Sequence, residues 1–226
     1  MADERIGDWL SDSMAGLPCR VLLPEPYEPQ RLQYPLVVYL HGSGERGTDN
    51  ARQLKNGVRA FEAPERRRRF PCIVVAPQCP TDDTFGGSWY GGTSRTQQAV
   101  LSLVRELSTR RSVDARRVYV IGFSMGAIGL WAMLERAPGL FAAAVPISGD
   151  LDVECASDLV HFPLWAFHGE KDALVSNTNV RAFAALTQKL GGSARYTEFS
   201  GVGHDAWAPT FARDDLFEWL FSQRRK

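Results

Sequence analysis

The chain has 226 residues, a length that one α/β domain commonly fills, and it is long enough to bury a core without metals or disulfides. Its 26 basic and 26 acidic residues balance, so no net charge attracts nucleic acid or an anionic membrane surface. No apolar run approaches the roughly 18 residues of a membrane span, and the acidic N-terminus does not read as a secretory signal. We therefore expect a cytoplasmic protein with a small-molecule partner and without nucleic-acid binding.

Short apolar runs recur between helix-like segments, and their continuous rather than alternating apolarity is typical of strands buried on both faces. Six runs of this kind lie at residues 36–40, 73–76, 118–122, 142–147, 164–167 and 196–199. Residues 19–23 predict a further strand, antiparallel and at the sheet edge, because three prolines end it quickly. The pattern predicts a mostly parallel central sheet.

Helical spacing of apolar residues appears between these runs, at 96–110, 127–137, 180–190 and 214–223. The alternation of strands and helices predicts an α/β fold, a three-layer sandwich with helices on both faces of the sheet. We expect one domain over 1–226, with residues 1–17 as an N-terminal extension. The segment between residues 148 and 164 is too short for a lid domain, which predicts an open active site.

The strongest signal for chemistry is the sequence G-F-S-M-G around Ser124, directly after a predicted strand and directly before a predicted helix. In that context the pattern is typical of a nucleophile elbow, a strained turn that holds a serine hydroxyl above the sheet. The start of the following helix adds free amides and a positive dipole end near developing negative charge. The pattern predicts Ser124 as the nucleophile.

A serine hydroxyl needs a base and a carboxylate, which in such folds follow it in the order Ser, Asp, His. Asp172 follows the strand predicted at 164–167, and His204 follows the one at 196–199. Three strand ends on one edge of the sheet thus offer the three required side chains. Glu170 is the alternative to Asp172 on the same loop.

Acyl transfer also needs donors for the oxyanion of the tetrahedral intermediate. One predicted donor is the amide of Met125, the residue after the nucleophile. The second is expected in the glycine-rich loop after the strand at 36–40, where Ser43 is favoured and Gly44 is the alternative. In the same loop His41 is expected to fix the backbone rather than to contact substrate.

Substrate preference has weaker signals. Trp89 lies in a glycine-rich segment suited to a loop over the site, and Trp207 follows His204 closely enough to form a wall of the same cleft. For Trp207, a place in the core under these loops is the alternative. The four cysteines form no C-x-x-C pair and have no histidine at metal-ligand spacing, so no metal site is predicted.

The segments LVVYLHGSGERGTDN, GFSMGA, WAFHGEKDALVS and GVGHDAW resemble the α/β-hydrolase superfamily. Within it the chain resembles the lidless group of predicted peptidases, phospholipase/carboxylesterase-like esterases and dienelactone-hydrolase-like proteins, from about residue 19 onward. The resemblance implies a nucleophile at Ser124, an acid at Asp172, a base at His204 and oxyanion donors at Ser43 and Met125. Dienelactone hydrolases carry cysteine as the nucleophile, so the serine departs from them and favours general esterase chemistry.

These observations predict a cofactor-free carboxylic-ester hydrolase that acts through an acyl-serine intermediate on small or exposed esters. The same side chains would also serve a thioesterase, a peptidase or an acyltransferase. A hydrolase-fold binding module with a silent site is an alternative of another class, which the intact Ser, Asp and His set disfavours.

Overall fold

The computed structural model describes residues 6–87, 92–110, 112–152 and 156–225, which form one eight-stranded sheet with helices on both faces. The strands are β1 (Leu10–Met14), β2 (Leu17–Leu22), β3 (Tyr34–Leu40), β4 (Ile73–Pro77), β5 (Val113–Phe123), β6 (Ala143–Ile147), β7 (Trp165–Gly169) and β8 (Arg195–Phe199). The helices are α1 (Pro64–Arg69), α2 (Arg95–Ser108), α3 (Met125–Arg136), α4 (Ala156–Leu159), α5 (Thr178–Lys189), α6 (Trp207–Phe211) and α7 (Asp214–Ser222).

The sheet has the order β1-β2-β4-β3-β5-β6-β7-β8. The strands from β4 through β3 to β8 are parallel, and only β1 and β2 run antiparallel to their neighbours. The predicted α/β fold with a mostly parallel sheet is therefore confirmed. Because parallel strands end at the same edge, the loops after β3, β5, β7 and β8 leave the sheet side by side.

Alternation along the strands explains the three layers. In β3, Leu36 and Val38 pack into the core under α2, α3 and α5, whereas Val37 and Tyr39 pack into the core under α6 and α7. All four side chains are fully buried. The sheet thus buries both faces, and this is why its strands read as continuous apolar runs.

The N-terminal part of the sheet corrects one prediction. Residues 19–23 were expected to form the edge strand; β2 is antiparallel as predicted, but β1 pairs with it and takes the edge. Ala15 and Gly16, with φ of 51° and 80°, form the tight turn between the two strands. Part of the expected N-terminal extension therefore belongs to the sheet. The sequence of β1, LSDSM, is mostly polar and partly exposed, as is common for edge strands that must not pair with other chains. It therefore lacks the apolar run that predicts a buried strand.

Between β6 and β7 the described residues contain only the short helix α4, and no lid domain is seen among them. Across the described ranges, no helix is both long enough and apolar enough to cross a bilayer.

Candidate active site

Ser124 occupies a sharp turn between β5 and α3. Its φ of 53° and ψ of −118° lie in a region that non-glycine residues rarely adopt. The Ser124 amide donates to the carbonyl of Ile147 at 2.9 Å, which ties the turn to the neighbouring strand. The strain and the position between strand and helix are those of a nucleophile elbow.

The two glycines of the elbow are required by close backbone packing. A Cβ atom on Gly122 would overlap the carbonyl group of Gly126, and one on Gly126 would overlap the carbonyl group of Leu40 at the end of β3. The elbow therefore packs directly against the β3 strand end. This contact places the loop after β3 beside Ser124.

The three side chains predicted as nucleophile, acid and base form one hydrogen-bonded chain. Nε2 of His204 lies 2.9 Å from Oγ of Ser124, and Nδ1 of His204 lies 2.8 Å from Oδ2 of Asp172. A carboxylate only accepts, so Nδ1 carries the imidazole proton and Nε2 is free to accept the proton of Ser124. The structure brings the predicted residues together in the geometry of a catalytic triad.

Backbone contacts hold the loops after β7 and β8 against each other. The Lys171 amide donates to the carbonyl of Val202 at 2.8 Å. A Cβ atom on Gly169 would overlap the carbonyl group of Gly203, so only glycine allows this approach. The contacts fix the distance between Asp172 and His204.

Asp172 is a buried carboxylate with several donors. Its side chain has 0% exposure; Oδ1 accepts from the amides of Leu174 at 2.9 Å and Val175 at 3.0 Å, and Oδ2 accepts from His204. Burial alone would raise the pKa of Asp172, but these hydrogen bonds outweigh it and hold the pKa below its usual value. The hydrogen bonds therefore favour the ionised form of this carboxyl group beside Nδ1 of His204.

Glu170, the alternative acid, faces solvent. Its Oε2 accepts from the Ser200 hydroxyl at 2.7 Å and from the Gly201 amide at 2.8 Å, and the first of these bonds contributes most to lowering its pKa. The carboxylate braces the loop after β8 instead of reaching His204.

Both predicted oxyanion donors lie at the start of a helical turn. Met125 is the first residue of α3, and Ser43 begins a single 3₁₀ turn, Ser43–Glu45. Such amides have no partner within the helix, and neither donates a backbone hydrogen bond among the described residues. A Cβ atom on Gly42 would lie 3.1 Å from the Phe123 ring, so the Ser43 loop lies against the elbow. The two amides remain the candidates for the oxyanion hole.

His41 fixes the loop after β3. Its ring is fully buried, and Nε2 accepts from the amide of Cys79 at 2.9 Å, so the proton is on Nδ1, which lies 2.7 Å from the carbonyl oxygen of Gly42. Burial lowers the pKa of His41 to about 4, so the ring is neutral at physiological pH. Both ring nitrogens are occupied by backbone groups, in agreement with the expected loop-fixing role.

Glu45 was not identified from the sequence. Its side chain is largely buried in the same loop, at 7% exposure of the residue, and Oε2 has no hydrogen-bond partner among the described residues. Burial raises the pKa of Glu45, while the nearby Gly42 amide and Asn56 side chain act in the opposite direction. The available signal was the spacing His-Gly-x-x-acid, which residues 41–45 share with 168–172.

The two tryptophans predicted at the substrate site have different outcomes. Trp89 lies outside the described residues. Trp207 is half-buried at the start of α6, where it packs on the core and also lines an open groove of about 670 Å³ together with Leu54, Lys55 and Asn56. The lining of this groove does not include Ser124.

Comparisons with known proteins give a family and several similar proteins. Residues 80–214 match the model of the dienelactone hydrolase family, which is more than half of the chain. Among curated relatives, a protein named “Probable carboxylesterase” from Oryza sativa subsp. japonica is 23% identical over 195 residues, covering 76% of this chain and 81% of that protein.

Two solved structures illustrate the range of the fold. The crystal structure of a thermostable esterase superposes with a TM-score of 0.90 at 35% identity, covering 97% of this chain and 64% of that one, so this chain spans less than two thirds of that esterase. A puromycin-hydrolyzing peptidase of Mycobacterium tuberculosis, at 16% identity and a TM-score of 0.66, shares the fold over 95% of this chain and 39% of its own. The chain belongs to the dienelactone hydrolase family, within the α/β-hydrolase superfamily.

Proposed function

We propose that the protein is a carboxylic-ester hydrolase that works through an acyl-serine intermediate. The observation that carries the proposal is the hydrogen-bonded chain from Ser124 through His204 to Asp172, with 2.9 Å and 2.8 Å between the bonded atoms. The family assignment and the esterases among its relatives support ester chemistry.

Acylation begins when His204 removes the proton from Ser124, whose oxygen attacks the ester carbonyl carbon. The amides of Ser43 and Met125 hold the oxyanion, and Asp172 stabilises the imidazolium that forms. Collapse of the intermediate breaks the bond to the leaving alcohol, which takes its proton from Nε2 of His204. The acyl group is then bonded to Ser124.

Deacylation repeats these steps with water. His204 takes a proton from the water, and the water oxygen attacks the acyl carbon. Collapse of the second intermediate returns the proton from His204 to Ser124 and releases the acid. The reaction requires only protein groups and water, so we propose no cofactor and no metal.

Small or exposed esters are the proposed substrates. The groove beside Trp207 is open and has an apolar floor that includes Leu54 and Phe211. Such a surface suits an apolar or aromatic part of a substrate that extends away from Ser124.

The test compares matched ester, thioester and amide substrates on the wild type and on Ser124→Ala. We expect the ester to be hydrolysed fastest, and Ser124→Ala to reduce kcat by about 10⁶-fold, since residues of a triad act as a unit. Thermal melting of both proteins controls for folding. A Ser124→Ala variant that keeps more than a small fraction of the wild-type rate would refute the mechanism, and a faster thioester or amide reaction would refute the ester preference.

A further inference from the structure

His168 is a fully buried side chain that the mechanism above does not use. It lies on β7, four residues before Asp172, and its ring has 0% exposure. The charged or titratable groups around it are Asp172 on the following loop, His204 on the loop after β8, and Glu198 on β8. The ring thus sits directly behind the acid of the triad.

Two oxygen atoms face Nε2 of His168. The carbonyl oxygen of Val175 lies at 3.0 Å and Oδ2 of Asp172 at 3.2 Å. Both oxygens only accept, so Nε2 carries the proton; it is hydrogen-bonded to the Val175 carbonyl, and Oδ2 of Asp172 is a second, longer contact. Nδ1 is buried without a partner among the described residues, and burial lowers the pKa of His168, which favours the neutral ring.

The contacts form a closed ring. Val175 donates through its amide to Oδ1 of Asp172 at 3.0 Å and accepts through its carbonyl from His168. Oδ2 of Asp172 is shared between His168 and His204, at 3.2 Å and 2.8 Å. His168 therefore contacts both the carboxylate and the peptide group that anchors it.

We propose that His168 is a positioning residue for the triad, whose Nε2–H holds Oδ2 of Asp172 in line with Nδ1 of His204. The inference rests on the proposed function, because its effect is transmitted through the triad. It assigns the imidazole a role beyond filling the core, since an apolar side chain of similar volume would leave Oδ2 with one donor fewer.

The experiment compares His168→Gln with His168→Asn. Glutamine places an amide nitrogen near the position of Nε2 and leaves one buried acceptor unpaired, as the imidazole does at Nδ1. Asparagine has the same amide group but is one methylene shorter and does not reach Asp172. We expect Gln to keep kcat within about fivefold of wild type and Asn to lower it about 10- to 100-fold with KM nearly unchanged, as for loss of a hydrogen bond to a charged group.

A second measurement separates positioning from general stability. In an Asp172→Asn background the carboxylate is already absent, so His168→Asn should reduce the labelling rate of Ser124 by a fluorophosphonate probe less than about threefold further. Glu170→Gln is the matched control, because its exposed carboxylate bonds Ser200 and not the triad. All variants are checked by thermal melting, and His168→Leu replaces His168→Asn if the latter does not fold.

Equal losses in folded Gln and Asn variants, or the same further loss with and without Asp172, would overturn the proposal. If neither Asn nor Leu folds, a loss of more than tenfold in the folded Gln variant would overturn it as well. Ser124→Ala in the same assay distinguishes a failure of the proposed function from a failure of the role inferred for His168. If that variant stays active, the proposed function fails, whereas an inactive Ser124→Ala with indifferent His168 variants defeats only this inference.

Discussion

The loops after β3 and β7 share one sequence pattern but differ in the environment of the acid at its end. Residues 41–45 read His-Gly-Ser-Gly-Glu and residues 168–172 read His-Gly-Glu-Lys-Asp. In both loops the histidine is fully buried and its ring bonds backbone groups: His41 contacts Gly42 and Cys79, and His168 contacts Val175. The pattern therefore builds the same kind of anchored loop twice.

The acids at the end of the two loops behave in opposite ways. Asp172 has two backbone amides on one oxygen and two histidines at the other, and its pKa falls below the usual value. Glu45 has an oxygen without a partner among the described residues, and its pKa rises. Burial is common to both carboxyl groups, so the hydrogen-bond donors around each one account for the opposite directions of the two pKa shifts.

The largest effect is expected when each of the two acids is replaced by its amide and the kcat values of the two variants are compared. Asp172→Asn should lower kcat by about 10⁴-fold, because the amide favours the wrong tautomer of His204 and removes the charge that stabilises imidazolium. Glu45→Gln should lower it by less than about tenfold, because Glu45 bonds neither His204 nor Ser124. Steady-state kinetics on one activated ester measures both.

Glu170→Gln serves as the control for the same loop, and we expect it to change kcat by less than a few fold. Each variant must melt cooperatively near the wild-type temperature for the comparison to count. A crippled Glu45→Gln beside a nearly normal Asp172→Asn would reverse the roles inferred for the two loops.

A smaller effect is expected for His41, on the pH dependence of the free energy of unfolding. The folded pKa of His41, about 4, is below its ordinary value of 6.5, so the unfolded chain binds a proton first as the pH falls. The neutral ring contributes fully to the free energy of unfolding above pH 6.5, and this contribution is lost between pH 6.5 and about 4. The loss is about 1.4 kcal/mol per pH unit and about 3 kcal/mol in all.

Urea denaturation at pH 7.5, 6.5 and 5.5 tests this expectation with His41→Gln as the comparison. The variant should be less stable than wild type at pH 7.5, and the gap should narrow toward pH 5.5 because glutamine does not titrate. His168, whose pKa is also lowered, gives a residual slope in both proteins. Parallel curves for the two proteins would show that His41 titrates in the folded state much as it does in the unfolded chain.

Much of the fold and of the candidate site could be predicted from the sequence, because both are encoded locally. A strand buried on both faces must be apolar throughout, as Leu36 and Val37 show, and the glycines around Ser124 are required by backbone contacts within a few residues or with the adjacent strand. Strand ends in a parallel sheet meet at one edge, so Asp172 and His204 could be placed without knowing the strand order.

The remainder depends on contacts that the sequence does not display. The edge strand β1 is polar, and only its pairing with β2 identifies it. The role of His168 depends on the position of the Val175 carbonyl, and Glu45 is buried although its sequence neighbours are polar or glycine. These features arise from the packing of loops, which periodicity and motif spacing do not encode.

The most direct test of the account is the site and rate of covalent labelling by a fluorophosphonate probe. Digestion and mass spectrometry of the labelled wild type should find one adduct per chain, on the peptide that contains Ser124, and none on Ser124→Ala. Asp172→Asn should be labelled at the same serine but far more slowly. A folded wild-type protein that is not labelled, or is labelled at another residue such as Ser43 or Ser148, would contradict the assignment of Ser124 as the activated nucleophile.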